Sequence, residues 1–224
     1  MSQPAIVSNT LLHNVPLFSG LDEEQLSVLA RTIVRKSVRR NAKIIGAGDP
    51  TDSLYIVING RLKVLMSDEQ GREVILSILG PGEFFGEMGL LDDSPRSATV
   101  VTLEPCDLLT ISKTDFKRRL AENFDLSLMV MRGLVKRLRE ADQKIGSLAL
   151  MDVYGRVARL LLEMAEDVGG EKVVVKKMSK QDIAKMIGAS REMVSRVMKD
   201  LQRSGAIVPR GRSIVLRSKI LLAD

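Results

Sequence analysis

Two stretches of the 224-residue chain gather residues that can do chemistry at close spacing. The first is Gly86-Glu87-Met88-Gly89-Leu90-Leu91-Asp92-Asp93-Ser94-Pro95-Arg96-Ser97-Ala98-Thr99. Glycines such as Gly86 let a ligand approach the backbone closely, and a short helix starting near Met88 would offer free amides to an anion. Arg96 supplies charge in a planar fork, Ser97 a hydroxyl, and Glu87 an acceptor suited to a ribose hydroxyl. These are the parts of an anion pocket, with a surface glutamate–arginine pair as the bland alternative.

The second stretch begins at Ser179-Lys180-Gln181-Asp182, a capping-box-like helix start. Ile183, Ala184 and Ile187 give that helix an apolar face, Gly188 permits a sharp turn, and Ser190 can cap a second helix reaching about Arg203. Val194, Val197 and Met198 form its buried stripe, whereas Arg191, Ser195, Arg196 and Lys199 crowd the exposed face. This is a helix-turn-helix pattern. Arginine can pair bidentately with guanine and glutamate can accept from the cytosine amino group, so Arg191, Glu192 and Arg196 suit base reading. Ala206 to Val208, the turn Pro209-Arg210-Gly211-Arg212, and Ser213 to Leu216 read as a β-hairpin wing. Arg210 and Arg212, like Ser179 and Lys180, are better suited to phosphates than to bases.

The charge distribution agrees. Residues 1–150 carry 19 cationic and 19 acidic side chains, whereas residues 151–224 carry 15 and 9. From Lys172 onward the counts are 13 and 4, the footprint of a phosphate-backbone binder; a solvated basic face is the alternative.

The elements that would position these groups fall into two patterns. From Lys43 to about Ile111, glycines cut the chain into β-rich segments: Leu54 to Ile58, Leu62 to Met66, Val74 to Leu79, Ala98 to Leu103 and Leu108 to Ile111. They read as a β-roll, with Asp68 to Gly71 as a hairpin tip and Leu62 and Val64 sharing a face. Leu21 to Arg35 reads as a helix capped by Asp22, with Leu26, Leu29 and Ile33 on its apolar side.

Leu128, Met131, Val135, Leu138, Asp142, Ile145 and Ala149 alternate steps of three and four, the seam of a two-stranded coiled coil. A homodimer follows, the alternative being a helix packed only on its own domain. Arg132, Lys136, Arg137, Arg139 and Lys144 would then face solvent. Asp142 is the one polar seam residue, and its repulsion from a symmetry mate points to a ligand or basic partner there. An apolar helix from Tyr154 to about Asp167 and a Gly169-Gly170 break open a second compact unit near Asp152. The expected fold class is α+β, as residues 1–123, 124–151 and 152–224: a β-roll, a dimerisation helix with hinge, and a winged helix-turn-helix.

Several function classes drop out. One cysteine, Cys106, and one histidine, His13, cannot supply a structural zinc site, an iron–sulfur cluster or a disulfide framework, so no metal is expected. Cys106 reads as an inert small hydrophobe. Asp92 and Asp93, the adjacent carboxylates near Arg96, read as turn residues rather than as catalytic groups, so no enzyme is expected. A hydrophobic fraction of 45% without a run of roughly 18 apolar residues, and a start lacking signal-peptide character, lead to the expectation of a cytoplasmic protein with no membrane partner.

Taken together, Gly86 to Gly89 with Arg96 to Ala98, the seam helix, and Gly188-Ala189-Ser190-Arg191-Glu192-Met193-Val194-Ser195-Arg196 resemble the Crp/Fnr family of bacterial transcription regulators over nearly the whole chain. The resemblance implies that Glu87 binds the ribose hydroxyl, that Arg96 and Ser97 bind a cyclic phosphate, and that Val64 and Leu76 pack on the purine. It also implies that Arg191, Glu192 and Arg196 read a TGTGA-type half-site in double-stranded DNA, and that RNA polymerase is a partner. Iron–sulfur members need several cysteines, and haem-based members find no support in a single histidine. Where the cyclic-AMP-binding relatives carry a threonine–serine pair on the seam helix, alignment through Gly146 puts Ala141 and Asp142 here. Asp142 can accept from adenine's single amino donor, yet a carboxylate matches guanine's two adjacent donors better. Cyclic AMP is the expected effector, followed by cyclic GMP or cyclic di-GMP, whose second phosphate Arg137 or Arg139 could meet. A constitutive regulator with a vestigial cassette is the further alternative.

Overall fold

The computed structural model describes residues 7–175, 178–217 and 220. The chain divides into two units, residues 1–137 and 138–224.

The N-terminal unit opens with α1 (Asn9–His13), a single 3-10 turn, and α2 (Glu23–Ala30). Asp22 caps α2 in a full capping box with Gln25. The helix is shorter than its periodicity predicts. After Arg31, the β-branched run Thr32-Ile33-Val34 favours extended backbone, and β1 (Val34–Val38) pairs with β8 (Cys106–Ser112) instead. Ile33 is buried all the same, from a non-helical position.

Between these lie β2 (Lys43–Ile45), β3 (Ser53–Asn59), β4 (Leu62–Ser67), β5 (Glu73–Leu79), β6 (Phe84–Phe85), α3 (Met88–Leu91) and β7 (Thr99–Thr102). They form two four-stranded antiparallel sheets, ordered β1-β8-β3-β6 and β2-β7-β4-β5. The predicted strands are present, each within about two residues. The alternation of β4 fails at one point. Its register with β5 passes from Val64–Ser77 to Leu65–Ile75, stepping over Leu76, so Leu62 and Leu65 are buried while Val64 is only partly so. A bulge of this kind re-aims side chains locally. One apolar cluster, including Tyr55, Val57, Leu62, Phe85 and Val100, fills the roll. A second joins Leu54, Ile56, Leu109 and Ile111 to the helices.

After α4 (Lys113–Glu122) the long helix α5 runs from Phe124 to Leu150. At 3.6 residues per turn Leu126, Val130, Gly133 and Arg137 share one stripe. Leu126 and Val130 are buried, and a Cβ on Gly133 would meet the Phe84 ring at 2.6 Å, so the glycine permits close helix–sheet packing. The stripe of the predicted seam is exposed at Met131, Val135, Leu138 and Ile145. Arg137 corrects the expectation that it faces solvent, because it lies on the roll-facing stripe and turns inward. Lys144 corrects it too, being half-buried. Burial pushes its ammonium below the usual lysine range, against Glu163 and Glu140, which raise it.

The C-terminal unit contains α6 (Val153–Glu163), capped by Asp152, then β9 (Glu166–Val168) and β10 (Glu171–Val174). The expected helix to Asp167 thus stops early. Gly169 and Gly170 adopt positive φ and close a hairpin that draws Glu166 to Val168 into a strand. There follow α7 (Lys180–Ile187), α8 (Arg191–Arg203), β11 (Ile207–Arg210) and β12 (Ser213–Leu216), the sheet being ordered β11-β12-β10-β9. Val157, Ile183, Ala184, Val194 and Leu201 are at the centre of its core. Among the described residues, no helix is long and apolar enough to cross a membrane.

Candidate functional site

The cassette is held between β6 and β7. Gly86 leaves β6 at φ +86°, where its carbonyl accepts from Arg96 Nη1 at 2.8 Å. A Cβ at Gly86 would stand 2.5 Å from that nitrogen, so only glycine lets the guanidinium lie against this backbone. Arg96 Nη2 donates to Ser53 O at 2.7 Å and pairs with Asp52 Oδ1 at 3.1 Å. The guanidinium lies over the Tyr55 ring, which stacks on Phe85. Arg96 is 4% exposed, and its Nε has no partner.

Glu87, immediately before α3, is 1% exposed. Its Oε1 accepts from Arg137 Nη1, and Arg137 Nη2 donates to Phe84 O. Glu87 Oε2 is buried without a partner. An unbonded acceptor at this depth is costly unless something fills it, and a hydroxyl donor is the simplest complement. Ser97 and Met88 are exposed, with Ser97 Oγ 3.7 Å from Met88 Sδ.

The loop between them is anchored from outside. Asp93, at φ +58°, pairs with Lys113 and Lys117 of α4, which hold its carboxyl down at about 2. Thr51 Oγ1 donates to Ser94 O. Asp92 and Asp93 thus occupy turn positions, as their sequence context predicts.

The structure brings Gly86 and Arg96 into contact and buries Glu87 beside them in the chain, and it sets Met88 against Ser97. Val64 packs on the cluster that fills the roll, while Leu76 is exposed on β5. Asp142 is exposed on α5, five residues beyond Arg137. Sequence reasoning missed Arg137 as the partner of Glu87, and Asp52 and Ser53 as the holders of Arg96. The helical stripe containing Arg137 was visible, but its partner lies 50 residues away. Cys106 is buried, and burial pushes its thiol up.

In the C-terminal unit, Ser179 accepts from the Asp182 amide, Gly188 ends α7 in the left-handed conformation, and Ser190 accepts from the Met193 amide. Each cap stands where the residue types place it. Arg191, Glu192, Arg196 and Lys199 are exposed on α8. Ser195 is partly buried and accepts from Lys180 Nζ at 2.9 Å, joining the two helices. In the wing, Arg210 is tied to Glu171 at 2.8 Å, and Arg217 joins them at 3.2 Å. The Arg210 hydrogen bond is the main reason that the Glu171 carboxyl lies below the usual range. Arg212 is exposed at the hairpin tip beside Gly211.

Residues 35–123 match the cyclic nucleotide-binding domain family, and residues 155–224 the Crp-like helix-turn-helix domain. The cAMP-activated global transcriptional regulator CRP of Pasteurella multocida is 36% identical over 77% of this chain and 85% of its own. The chain belongs to the Crp/Fnr family. A CRP-like cAMP-activated global transcriptional regulator of Mycobacterium tuberculosis is 29% identical over 95% of this chain and 97% of its own. Among solved Crp/Fnr structures, the c-di-GMP responsive global regulator CLP of Xanthomonas campestris superposes with a TM-score of 0.74 at 29% identity, covering 88% of this chain and all of that one. The chain is therefore a cyclic-nucleotide-binding transcription regulator of the Crp type, with α7 and α8 as its DNA-binding motif.

Proposed function

We propose that the chain acts as a homodimeric, cyclic-nucleotide-controlled regulator without catalytic activity, binding a palindromic TGTGA-like site with cyclic AMP as effector. Glu87 and Arg96 carry this reading: two oppositely charged side chains are buried in one cassette, and each keeps a polar atom without a partner. Glu87 Oε2 would accept the ribose hydroxyl, while Arg96 with Ser97 would hold the cyclic phosphate and Gly86 and Met88 would frame it. Val64 and Leu76 would pack on the base. The parts of the chain are residues 1–123 as sensor, 124–151 as dimer helix and hinge, and 152–224 as DNA reader.

The exposed apolar stripe Met131, Val135, Leu138 and Ile145 supports the dimer, since such a stripe is stable when a second helix covers it. Dimerisation would set two α8 helices about 34 Å apart, the spacing of successive major grooves. Arg191, Glu192 and Arg196 would read bases, while Ser179, Lys180, Ser190, Ser195, Lys199, Arg210 and Arg212 would serve phosphates or positioning. The nucleotide acts by binding the DNA-competent arrangement more tightly than the incompetent one. RNA polymerase is the further partner that the family implies, in the cytoplasm.

The names of the Pasteurella and Mycobacterium relatives favour cyclic AMP. Asp142 favours a second reading, cyclic di-GMP or cyclic GMP, because its carboxylate matches guanine's paired donors. Fluorescence anisotropy of a labelled TGTGA-palindrome duplex at fixed salt, with each nucleotide and none, tests both. Cyclic AMP should tighten binding, and Arg96→Ala should abolish the response. A response to a guanine nucleotide alone would replace the effector. Equal affinity under all conditions would overturn nucleotide control.

A further inference from the structure

Within the C-terminal unit, α6, α7, α8 and the wing line an open-mouthed cavity of about 160 Å³. Close-packed interiors keep few voids larger than a water molecule, and an aliphatic cavity of about 150 Å³ stays dry and takes up benzene. Here the floor is apolar: Leu161, Ile183 and Ile214 line it and are buried. Met164, Met178 and Met198 form part of the wall, and their unbranched thioethers can re-pack around a guest. Of the lining residues, Lys180, Lys199, Gln202 and Pro209 are exposed, so two lysines, a glutamine and a proline form the rim.

An apolar chamber of benzene size with two lysines at its rim has a definite complement. We infer that it binds a small aromatic monocarboxylate, the ring in the chamber and the carboxylate on Lys180 and Lys199. Cations at the mouth select against a neutral ring, and the dry floor selects against a small hydrated anion.

Occupancy has a consequence that rests on the proposed DNA-binding role. Lys180 Nζ now donates to Ser195 Oγ. A carboxylate at the rim would draw Lys180 from Ser195 and neutralise Lys199, withdrawing two cations from the DNA face. The carboxylate is then a second effector, acting on the reader domain itself and weakening operator binding.

The full-length protein labelled at its methionine methyl carbons tests this, with sodium benzoate as probe and benzyl alcohol as its neutral counterpart. Of the 11 methionines, Met164, Met178 and Met198 should shift saturably, while Met66, Met88 and Met131 stay fixed. Benzoate should bind at least fivefold more tightly than benzyl alcohol. Lys199→Ala should erase that preference and leave benzyl alcohol binding unchanged. Shifts that never saturate, that spread over all methionines, or that are equal for the two probes would overturn the site. In the operator assay, benzoate at ten times its own Kd should raise the operator Kd about tenfold by simple exclusion. Methyl shifts with unchanged operator affinity would overturn the coupling while leaving the site. Failure to bind operator without benzoate, with cyclic AMP present, would instead count against the proposed operator and effector, because the methyl shifts are read with no DNA present.

Discussion

Arg137→Ala tests how the long helix is tied to the cassette. Glu87 is 1% exposed, one of its oxygens has no partner, and the other rests on Arg137. Removing one member of a buried pair costs about 3–5 kcal/mol, because an uncompensated charge is left behind. The Arg137 side chain is 33% exposed, so water reaches its side of the pair and the vacated space. Allowing for that access, the expected loss is about 2–3 kcal/mol. At about 2–4 °C per kcal/mol for a protein of this size, the unfolding midpoint of the N-terminal unit should fall by about 4–12 °C.

Calorimetry and urea titration of the nucleotide-free protein would measure the loss. A double-mutant cycle with Glu87→Gln gives it meaning, since the neutral amide needs no counter-charge. The double variant should be clearly more stable than the sum of the two single losses requires. An Arg137→Ala variant within about 0.5 kcal/mol of the parent, or strict additivity in the cycle, would refute the claim that Arg137 compensates a buried carboxylate.

Other outcomes follow from local geometry. Gly86→Ala forces a side chain into positive φ and against Arg96 Nη1 at 2.5 Å. It should cost about 1–2 kcal/mol from the backbone alone, seen in urea unfolding, and weaken cyclic AMP binding by calorimetric titration. The Asp93 carboxyl is lowered from 3.8 to about 2 by Lys113 and Lys117. Its stabilising contribution is therefore present above pH 4 and lost as pH falls toward 2. Asp93→Asn, which tolerates the same left-handed backbone, should flatten the pH dependence of stability in that window, and an unchanged acid limb would contradict the clamp. Arg191→Ala should cost about 1–3 kcal/mol and relax one base position in an operator-variant panel, whereas Arg212→Ala should weaken all sequences alike and reduce the salt slope by about 1. A uniform loss from Arg191→Ala would remove it from base reading.

The elements most legible in the sequence are those made by neighbours in the chain. Asp22, Ser179 and Ser190 cap because an oxygen three residues before an amide reaches it in any helix start, wherever the helix lies. Gly188 could be placed as a helix stop by its tolerance of positive φ alone. The long helix, the two helices of the helix-turn-helix motif and the main strands are periodic features, and periodicity is local. The errors are equally informative. Thr32 to Val34 and Glu166 to Val168 each follow a helical pattern, and in each case strand pairing prevailed, β1 on the distant β8 and β9 on its hairpin neighbour β10.

By itself, then, the sequence determined the two patterns, the residue types of the cassette, the exposed charged face of α8 and the concentration of positive charge after Lys172. The tertiary structure alone decided which groups are paired. It turned Arg137 inward to Glu87, folded Arg96 onto Gly86 and Ser53, tied Arg210 to Glu171, stepped the β4–β5 ladder past Leu76, and left a chamber beneath Lys180 and Lys199. The reason is one of range. Capping and periodicity act over three or four residues, while burial and ion pairing act across the folded chain, where residues 50 apart in sequence meet at contact distance.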